Sequence, residues 1–143
     1  MITRLSHTTI FVLDQDEALE FYTQKLGCRV HTDATTDGGF RWLTVTLPND
    51  PEHQLILAEP RPPMMDEETA EQVKALVAKG VLGPGVLNTD DCRATYAELS
   101  AQGVNFLSEP EERPYGVEAT LRDSSGNWFS MTEPSEEYAK PQR

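Results

Sequence analysis

The sequence is poor in cysteine and has no long apolar run. Its 143 residues include two cysteines, Cys28 and Cys92, too few for a disulfide framework and without the spacing of a metal motif. No stretch of eighteen or more apolar residues exists, and no charged segment followed by an apolar one opens the chain. We therefore expect a reduced, cytoplasmic protein without a membrane span, of a size suited to one compact domain.

Positive charge is also scarce. The chain has 12 Lys and Arg residues against 24 Asp and Glu residues, for a formal net charge of −12. Affinity for nucleic acid comes mainly from clustered Lys and Arg, so we expect no nucleic-acid partner. An acidic surface favours a cationic ligand, although acidic residues also serve simply to keep a protein in solution.

Several catalytic signatures are missing as well. The sequence has no glycine-rich phosphate loop, no nucleophile elbow and no Cys-His pair at a recognisable spacing. The adjacent Asp90 and Asp91 are better explained as a helix cap than as an acid pair.

What the chain does contain is an internal repeat. A strand-like run at 9–14, a helical run and a stop at Gly27 reappear in the second half, which ends its own helix at Gly103. The two copies also close on similar tetrapeptides, at 57–60 and 131–134. Such self-similarity is typical of a duplicated half-domain, whose binding site usually lies where the halves meet.

Each copy is predicted to fold as βαβββ. In the first copy, Asp14 and Glu17 form a capping box and Gly27 ends the helix. Strands are expected at 6–13, 28–33, 40–47 and 54–59, and in the second copy at 82–88, 104–107, 117–122 and 127–133 around a helix at 90–102.

Two connecting segments complete the prediction. The stiff run 60–63 leads into a linker helix at 66–79. Pro110, Pro114 and Gly116 are expected to bracket a loop that carries Tyr115.

Four short motifs accompany the paired βαβββ units: the strand start at 7–12, the Ala18–Tyr22 helix with Leu26-Gly27, the Pro114-Tyr-Gly116 loop and the turn at 123–127. Together these features resemble the vicinal oxygen chelate superfamily, which includes glyoxalase I, extradiol dioxygenases and the fosfomycin and bleomycin resistance proteins. The resemblance implies a single α+β domain, 1–143, whose two βαβββ modules form a curved mixed sheet around a concave cavity. It assigns 5–60 and 82–134 to the modules, 61–81 to a helical linker and 135–143 to a tail, and it implies a homodimer.

The resemblance also defines where a metal would bind. Metal-dependent members carry His and Glu ligands on the first and last strands of each half, where the ion acts as a Lewis acid. In this chain the four places fall on His7, on Gly83 or Pro84, on Leu55 or Ile56, and on Ser130. Only His7 is a good ligand, so we expect no metal and no other cofactor.

An alternative keeps a divalent metal ion in an atypical site. Glu59 and Glu133 end the two last strands, and a slip of register could bring one of them beside His7 and either His31 or His53. The protein would then be a lyase, isomerase or dioxygenase. An enzyme without a metal would have His7 as its candidate general base.

Strand alternation predicts which side chains line the cavity. Two tryptophans and several hydroxyls are expected there, with Tyr115 closing from its loop, and the full candidate set is His7, Thr9, Trp42, Thr44, Leu55, Tyr115, Trp128 and Ser130. Such a pocket suits a planar or cationic small molecule, through contacts worth about 0.5–2 kcal/mol each. The predicted function is binding of a small organic ligand, similar to the bleomycin-resistance branch, although the tryptophans could equally fill a core or a dimer interface.

Overall fold

Each half of the chain builds one four-stranded mixed sheet. The computed structural model describes residues 1–141 and 143, and these form two compact units, 1–80 and 81–143. Residues 7–58 and 85–134 each follow the order βαβββ, which confirms the predicted fold class. The helix predicted as a linker lies within the first unit.

In the first unit, the strand order across the sheet is β1-β4-β3-β2. The strands are β1 (His7–Phe11), β2 (Arg29–Thr35), β3 (Arg41–Leu47) and β4 (Asp50–Ala58), and the helices are α1 (Gln15–Glu20) and α2 (Glu67–Lys79). β1 runs parallel to β4, whereas the other neighbours are antiparallel. A parallel pair requires a long crossover, which α1 and the two following strands provide.

The second unit repeats this arrangement with the order β5-β8-β7-β6. Its elements are β5 (Gly85–Asn88), α3 (Cys92–Ala101), β6 (Phe106–Arg113), β7 (Gly116–Arg122) and β8 (Trp128–Pro134). β5 pairs in parallel with β8, as β1 does with β4. Among the described residues, no helix has the length and apolar character that crossing a membrane requires.

Two predicted elements differ from the structure. The first helix does not continue as α-helix to Leu26, because Phe21–Lys25 form one turn of π-helix in which Leu26 N donates to Phe21 O. β6 extends to Arg113, so Pro110 lies inside a strand and not at a loop boundary. Proline is tolerated there because β6 is an edge strand and its pairing shifts between Ser108 and Glu111.

The helix α1 covers one face of the sheet in the first unit. Leu43 and Val45 are completely buried on the face that also carries Arg41. Arg41 reaches α1, where its guanidinium lies 2.7 Å from the Asp16 carboxylate. The apolar residues of β3 therefore pack toward α1, and the alternate residues face the other way.

The same division holds in the second unit. Leu121, Phe129 and Met131 are buried on one face of the sheet. The thiol of Cys92, at the start of α3, donates to Met131 O, and Cys92 N donates to the Glu133 carboxylate at 3.0 Å. α3 thus covers the Met131 face, as α1 covers the Leu43 face.

The turn between β7 and β8 is organised by one buried carboxylate. Asp123 Oδ1 accepts hydrogen bonds from the backbone N–H groups of Ser125, Gly126 and Asn127, at 2.9 to 3.0 Å. Asp123 Oδ2 accepts from the Asn127 side-chain amide at 2.9 Å. Because Asp123 is only 6% exposed, water cannot readily replace these bonds.

We expect Asp123→Ala to lower the free energy of unfolding by about 3 kcal/mol, because it leaves several buried donors without an acceptor. Chemical denaturation monitored by circular dichroism measures the loss. Ser124→Ala, at the exposed neighbour in the same turn, is the matched control and should cost less than about 0.5 kcal/mol. Equal stability of the two variants would show that the Asp123 bonds do not hold the turn.

A second local network joins α1, β2 and β3 through Arg41. Its Nε and Nη2 donate to the Asp33 carboxylate at 2.8 and 2.9 Å, and its Nη1 donates to Asp16. The hydrogen bond from Arg41 lowers the pKa of Asp33 below its ordinary value, and the same contact raises the pKa of Arg41.

This network predicts an acid-sensitive contribution to stability. The folded-state pKa of Asp33 lies below the unfolded value, so the contribution is present above a pH of about 3.9 and is lost as the pH falls through the folded pKa. Asp33→Asn should lower the free energy of unfolding at about pH 7 by less than about 1 kcal/mol, since both partners are partly exposed.

Thermal unfolding midpoints measured across the acid range test this contribution. The difference between the native chain and Asp33→Asn should shrink toward about pH 2, where the native carboxylate is protonated. Asp37→Asn, in the exposed turn between β2 and β3, is the control. A difference that stays constant with pH would contradict the assignment.

Candidate functional site

The face of the first sheet opposite α1 carries polar and aromatic side chains. Thr44 pairs with Ile56, which pairs with Thr9, so these three residues form one row on this face. The next row contains His7 and Gln54. The Thr44 hydroxyl donates to Gln54 Oε1 at 2.9 Å, which joins the two rows.

An aromatic pair lies on the same face. The ring centroids of His7 and Trp42 are 6.1 Å apart, and the two ring planes form an angle of 48°. His7 Nδ1 also lies 2.7 Å from Ser6 Oγ, which orients the imidazole. The structure thus brings His7 beside Trp42, two of the residues that the sequence singles out.

Leu55 occupies the other face. It pairs with Val45 and Thr8 and is 9% exposed. Because neighbouring residues of a strand alternate, Ile56 and not Leu55 shares the face of Thr44. Leu55 therefore lies on the face that α1 covers, and a ligand on the His7 face would contact Ile56 instead.

In the second unit, the face opposite α3 carries polar side chains in two neighbouring rows, and hydrogen bonds join them. Val86 pairs with Ser130, and Glu118 pairs with Thr132. The Ser130 hydroxyl lies 2.5 Å from Glu118 Oε2 and 2.7 Å from Thr132 Oγ1. Ser130 and Thr132 are buried, so these contacts fix the position of the carboxylate.

Tyr115 completes the network from the β6–β7 turn. Its hydroxyl donates to Glu118 Oε1 at 2.7 Å, and Arg113 Nε lies 3.8 Å from the same oxygen. Burial alone would raise the pKa of Glu118, but the hydrogen bonds from Ser130 and Tyr115 and the charge of Arg113 together lower the pKa. The hydrogen bond to Glu118 raises the pKa of Tyr115, so a neutral phenol faces an ionised carboxylate.

This network lines a cavity of about 370 Å³. Its walls include Val86, Tyr115, Glu118, Ser130, Thr132 and Tyr138. Tyr138 comes from the segment after β8, where Ser135 N donates to Tyr115 O at 2.9 Å and Tyr138 N donates to Ser135 Oγ. The C-terminal segment therefore supplies one wall of the cavity.

Trp128 lies on the same face of the second sheet, and its position depends on Gly83. A Cβ atom at Gly83 would come within 2.3 Å of the indole ring, so the ring packs directly on the Gly83 backbone. Trp128 N also donates to Leu82 O at 3.0 Å. Trp128 remains 38% exposed, which leaves part of the ring available for contact.

Two residues of this site, Glu118 and Tyr138, are not singled out by the sequence patterns described above. Glu118 alternates with Thr120 and Arg122 along β7, so its face could have been derived from the strand pattern. Tyr138 lies in 135–143, the segment that the family resemblance assigns to a tail. Its position depends on the Ser135–Tyr115 contact, which no periodicity in the sequence indicates.

Three of the four places that the family resemblance assigns to metal ligands offer no free donor. Ile56 and Pro84 have no donor atom in their side chains, and the Ser130 hydroxyl is engaged with Glu118 and Thr132. Across residues 1–141 and 143, no group of three or more His, Cys, Asp and Glu converges as a metal would require.

The atypical site built on the other histidines and glutamates is not assembled either. His53 contacts Leu5 O and Thr8 Oγ1 through its two ring nitrogens, and the exposed His31 contacts Thr32. Glu133 accepts from Cys92 N on the α3 face. A one-residue slip that turned Glu133 around would also move Met131 out of the core.

The two cysteines are poorly suited to redox chemistry. Burial raises the pKa of Cys28 to about 12. Burial also raises the pKa of Cys92, and the nearby Glu133 carboxylate adds to the shift. Because the thiolate is the reactive form, both side chains are held in the unreactive state.

Comparison with known proteins identifies the family of this chain. A model of the Glyoxalase/Bleomycin resistance protein/Dioxygenase superfamily matches residues 4–131. The uncharacterized protein YurT of Bacillus subtilis (strain 168) is 32% identical over 126 residues, which cover 88% of this chain and 95% of YurT.

Two solved structures are also similar over nearly their whole length. The crystal structure of UcmS2 is 52% identical with a TM-score of 0.87, and the match covers 93% of this chain and 99% of UcmS2. TnmS3, an antibiotic binding protein from Streptomyces sp. CB03234, is 28% identical with a TM-score of 0.73, over 94% of this chain and 98% of TnmS3. The chain therefore belongs to the glyoxalase/bleomycin resistance protein/dioxygenase superfamily, as its sequence motifs indicated.

Proposed function

We propose that the chain binds a small organic molecule of the antibiotic type and does not transform it. The observation that carries the proposal is the cavity in the second unit, where Glu118, Ser130 and Thr132 form a fixed polar wall beside Tyr115. Pockets for small ligands typically combine apolar and aromatic walls with a few well-placed polar groups. The likeness to TnmS3, an antibiotic binding protein, supports the same class of ligand.

Within the second unit, Trp128, which the sequence predicts as a ligand contact, extends the proposed binding surface. Trp128 lies on the same strand and face as Ser130, and its ring is partly exposed. In the first unit, His7, Trp42, Thr9 and Thr44 form the corresponding face of the sheet. We assign Trp128 to stacking with a ligand in the second unit, and we assign the His7 face of the first unit to ligand contacts of its own. We also propose that the protein is a cytoplasmic homodimer.

The residues at the family's metal-ligand positions favour binding over metal-dependent catalysis. A Lewis-acid mechanism needs donor side chains, and Ile56 and Pro84 supply none. The carboxylate of Glu118 accepts hydrogen bonds from two hydroxyls, which stabilise its ionised form and weaken it as a base. A preformed polar wall of this kind suits recognition of a ligand group.

Titration with a panel of antibiotics, followed by tryptophan fluorescence, tests the proposed function. We expect saturable binding at a ratio of about one ligand per chain, with the ligand recovered chemically unchanged by mass spectrometry. Ser130→Ala should raise the Kd roughly tenfold, because it removes a hydroxyl from the wall and frees Glu118 to move. Ser124→Ala is the matched control and should leave the Kd unchanged; conversion of the ligand to a product would contradict the proposal.

The metal content of the protein provides an independent prediction. Protein purified without chelators and then incubated with Ni²⁺, Zn²⁺, Mn²⁺ or Fe²⁺ should retain far less than about one ion per chain by elemental analysis. Ligand binding should be the same with and without a chelator. Stoichiometric metal that is lost in His7→Ala would instead favour a metalloenzyme of the same superfamily.

A further inference from the structure

Glu118 is the one carboxylate among the side chains that line the cavity of the second unit, within the part of the chain that the structure describes. Its side chain is 19% exposed, so the charge is partly shielded from water but is reachable from the cavity. The neighbouring hydroxyl groups of Ser130 and Thr132 carry no charge. Any ligand group that enters here therefore meets a negative field at short range.

The bonds already made to Glu118 leave capacity for another donor. Oε1 accepts from the Tyr115 hydroxyl and Oε2 accepts from the Ser130 hydroxyl. A carboxylate has about four lone-pair positions, so each oxygen can accept at least one further hydrogen bond.

The nearby guanidinium does not neutralise this carboxylate fully. Arg113 Nε lies 3.8 Å from Glu118 Oε1, beyond hydrogen-bonding distance. Its closer partner is Glu111, whose carboxylate lies 2.8 Å from Nη2. One cation is thus shared between two carboxylates, and the local charge stays negative.

The remaining walls of the cavity suit an organic cation better than a metal ion. Tyr115 and Tyr138 are 37% and 47% exposed, and their rings line the same space. Val86 and Pro134 add apolar surface. Aromatic faces attract alkylated ammonium groups through the ring quadrupole, and apolar walls favour the carbon substituents that such groups carry.

We propose that this cavity binds an organic ammonium group of the ligand, with Glu118 as its counter-ion and the rings of Tyr115 and Tyr138 against its alkyl substituents. The inference rests on the proposed function, since it takes this cavity as the ligand site, and it adds the chemical class of the group that is recognised. The formal net charge of −12 supports it, because the whole chain repels anionic ligands and attracts cationic ones.

Two probes of nearly equal shape isolate the effect of charge. Choline carries a trimethylammonium group, and 3,3-dimethylbutan-1-ol replaces it with a neutral tert-butyl group. Each is titrated up to about 10 mM while the amide signals of Gly116, Glu118, Ser130 and Thr132 are followed by NMR. We expect choline to shift these signals with a Kd at least about tenfold lower than that of the neutral alcohol.

Variants assign the effect to the cavity. Glu118→Gln keeps the shape and removes the charge, and it should abolish the preference for choline. Glu112→Gln removes the same charge from the neighbouring strand β6, where Glu112 pairs with Val117 on the opposite face. That control should retain the preference. Tyr138→Ala should raise the Kd for choline severalfold without affecting the β8 pairing.

Each outcome decides the inference separately from the proposed function. Equal affinity for the two probes, or a preference that survives in Glu118→Gln, would overturn the ammonium site while leaving small-molecule binding intact. Absence of any shift with choline would also overturn it. The proposed function itself is decided by the antibiotic titration, which requires no charge on the ligand.

Discussion

Side chains along β3 and β8 alternate between a face covered by a helix and a polar face, and this alternation determines where the polar groups of each unit lie. In each strand a helix covers one face, which Leu43, Val45, Phe129 and Met131 fill with buried apolar side chains. Arg41 and Glu133 lie at the ends of the same faces and bond to the covering helices. The intervening positions are thereby released from packing against a helix. They can carry hydroxyls, and the neighbouring strand β7 places the Glu118 carboxylate beside those of β8. Such polar groups would be costly if they were buried without partners.

On the polar face of the second sheet, hydrogen bonds between the side chains offset this cost. Ser130 serves both Glu118 and Thr132, while Tyr115 reaches the same carboxylate from the turn. A carboxylate held in this way keeps its charge and its position without a ligand, so binding requires little reorganisation. In the proposed site, Ser130 stands at a place that the family resemblance assigns to a metal ligand, and its hydroxyl instead orients the neighbouring Glu118 carboxylate.

Much of the fold followed from local patterns in the sequence, whereas the site depended on contacts that such patterns do not encode. The Asp14 cap, the glycine stops and the strand alternation defined both βαβββ modules. The sequence places Leu55 in the ligand set because strand alternation alone does not fix the register, and a shift of one residue reverses the face. Pro110 suggested a loop because an edge strand with irregular pairing cannot be recognised from sequence alone. Tyr138 reaches the cavity only through a backbone contact with Tyr115.

The most direct test of the account is a crystal structure of the protein with a ligand obtained from the antibiotic titration. The account predicts an intact ligand on the polar face of the second sheet, in contact with Ser130 and with an oxygen of Glu118. A ligand bound on the face covered by α3, or a chemically altered molecule in the cavity, would contradict the central claim that this face is a non-catalytic binding site.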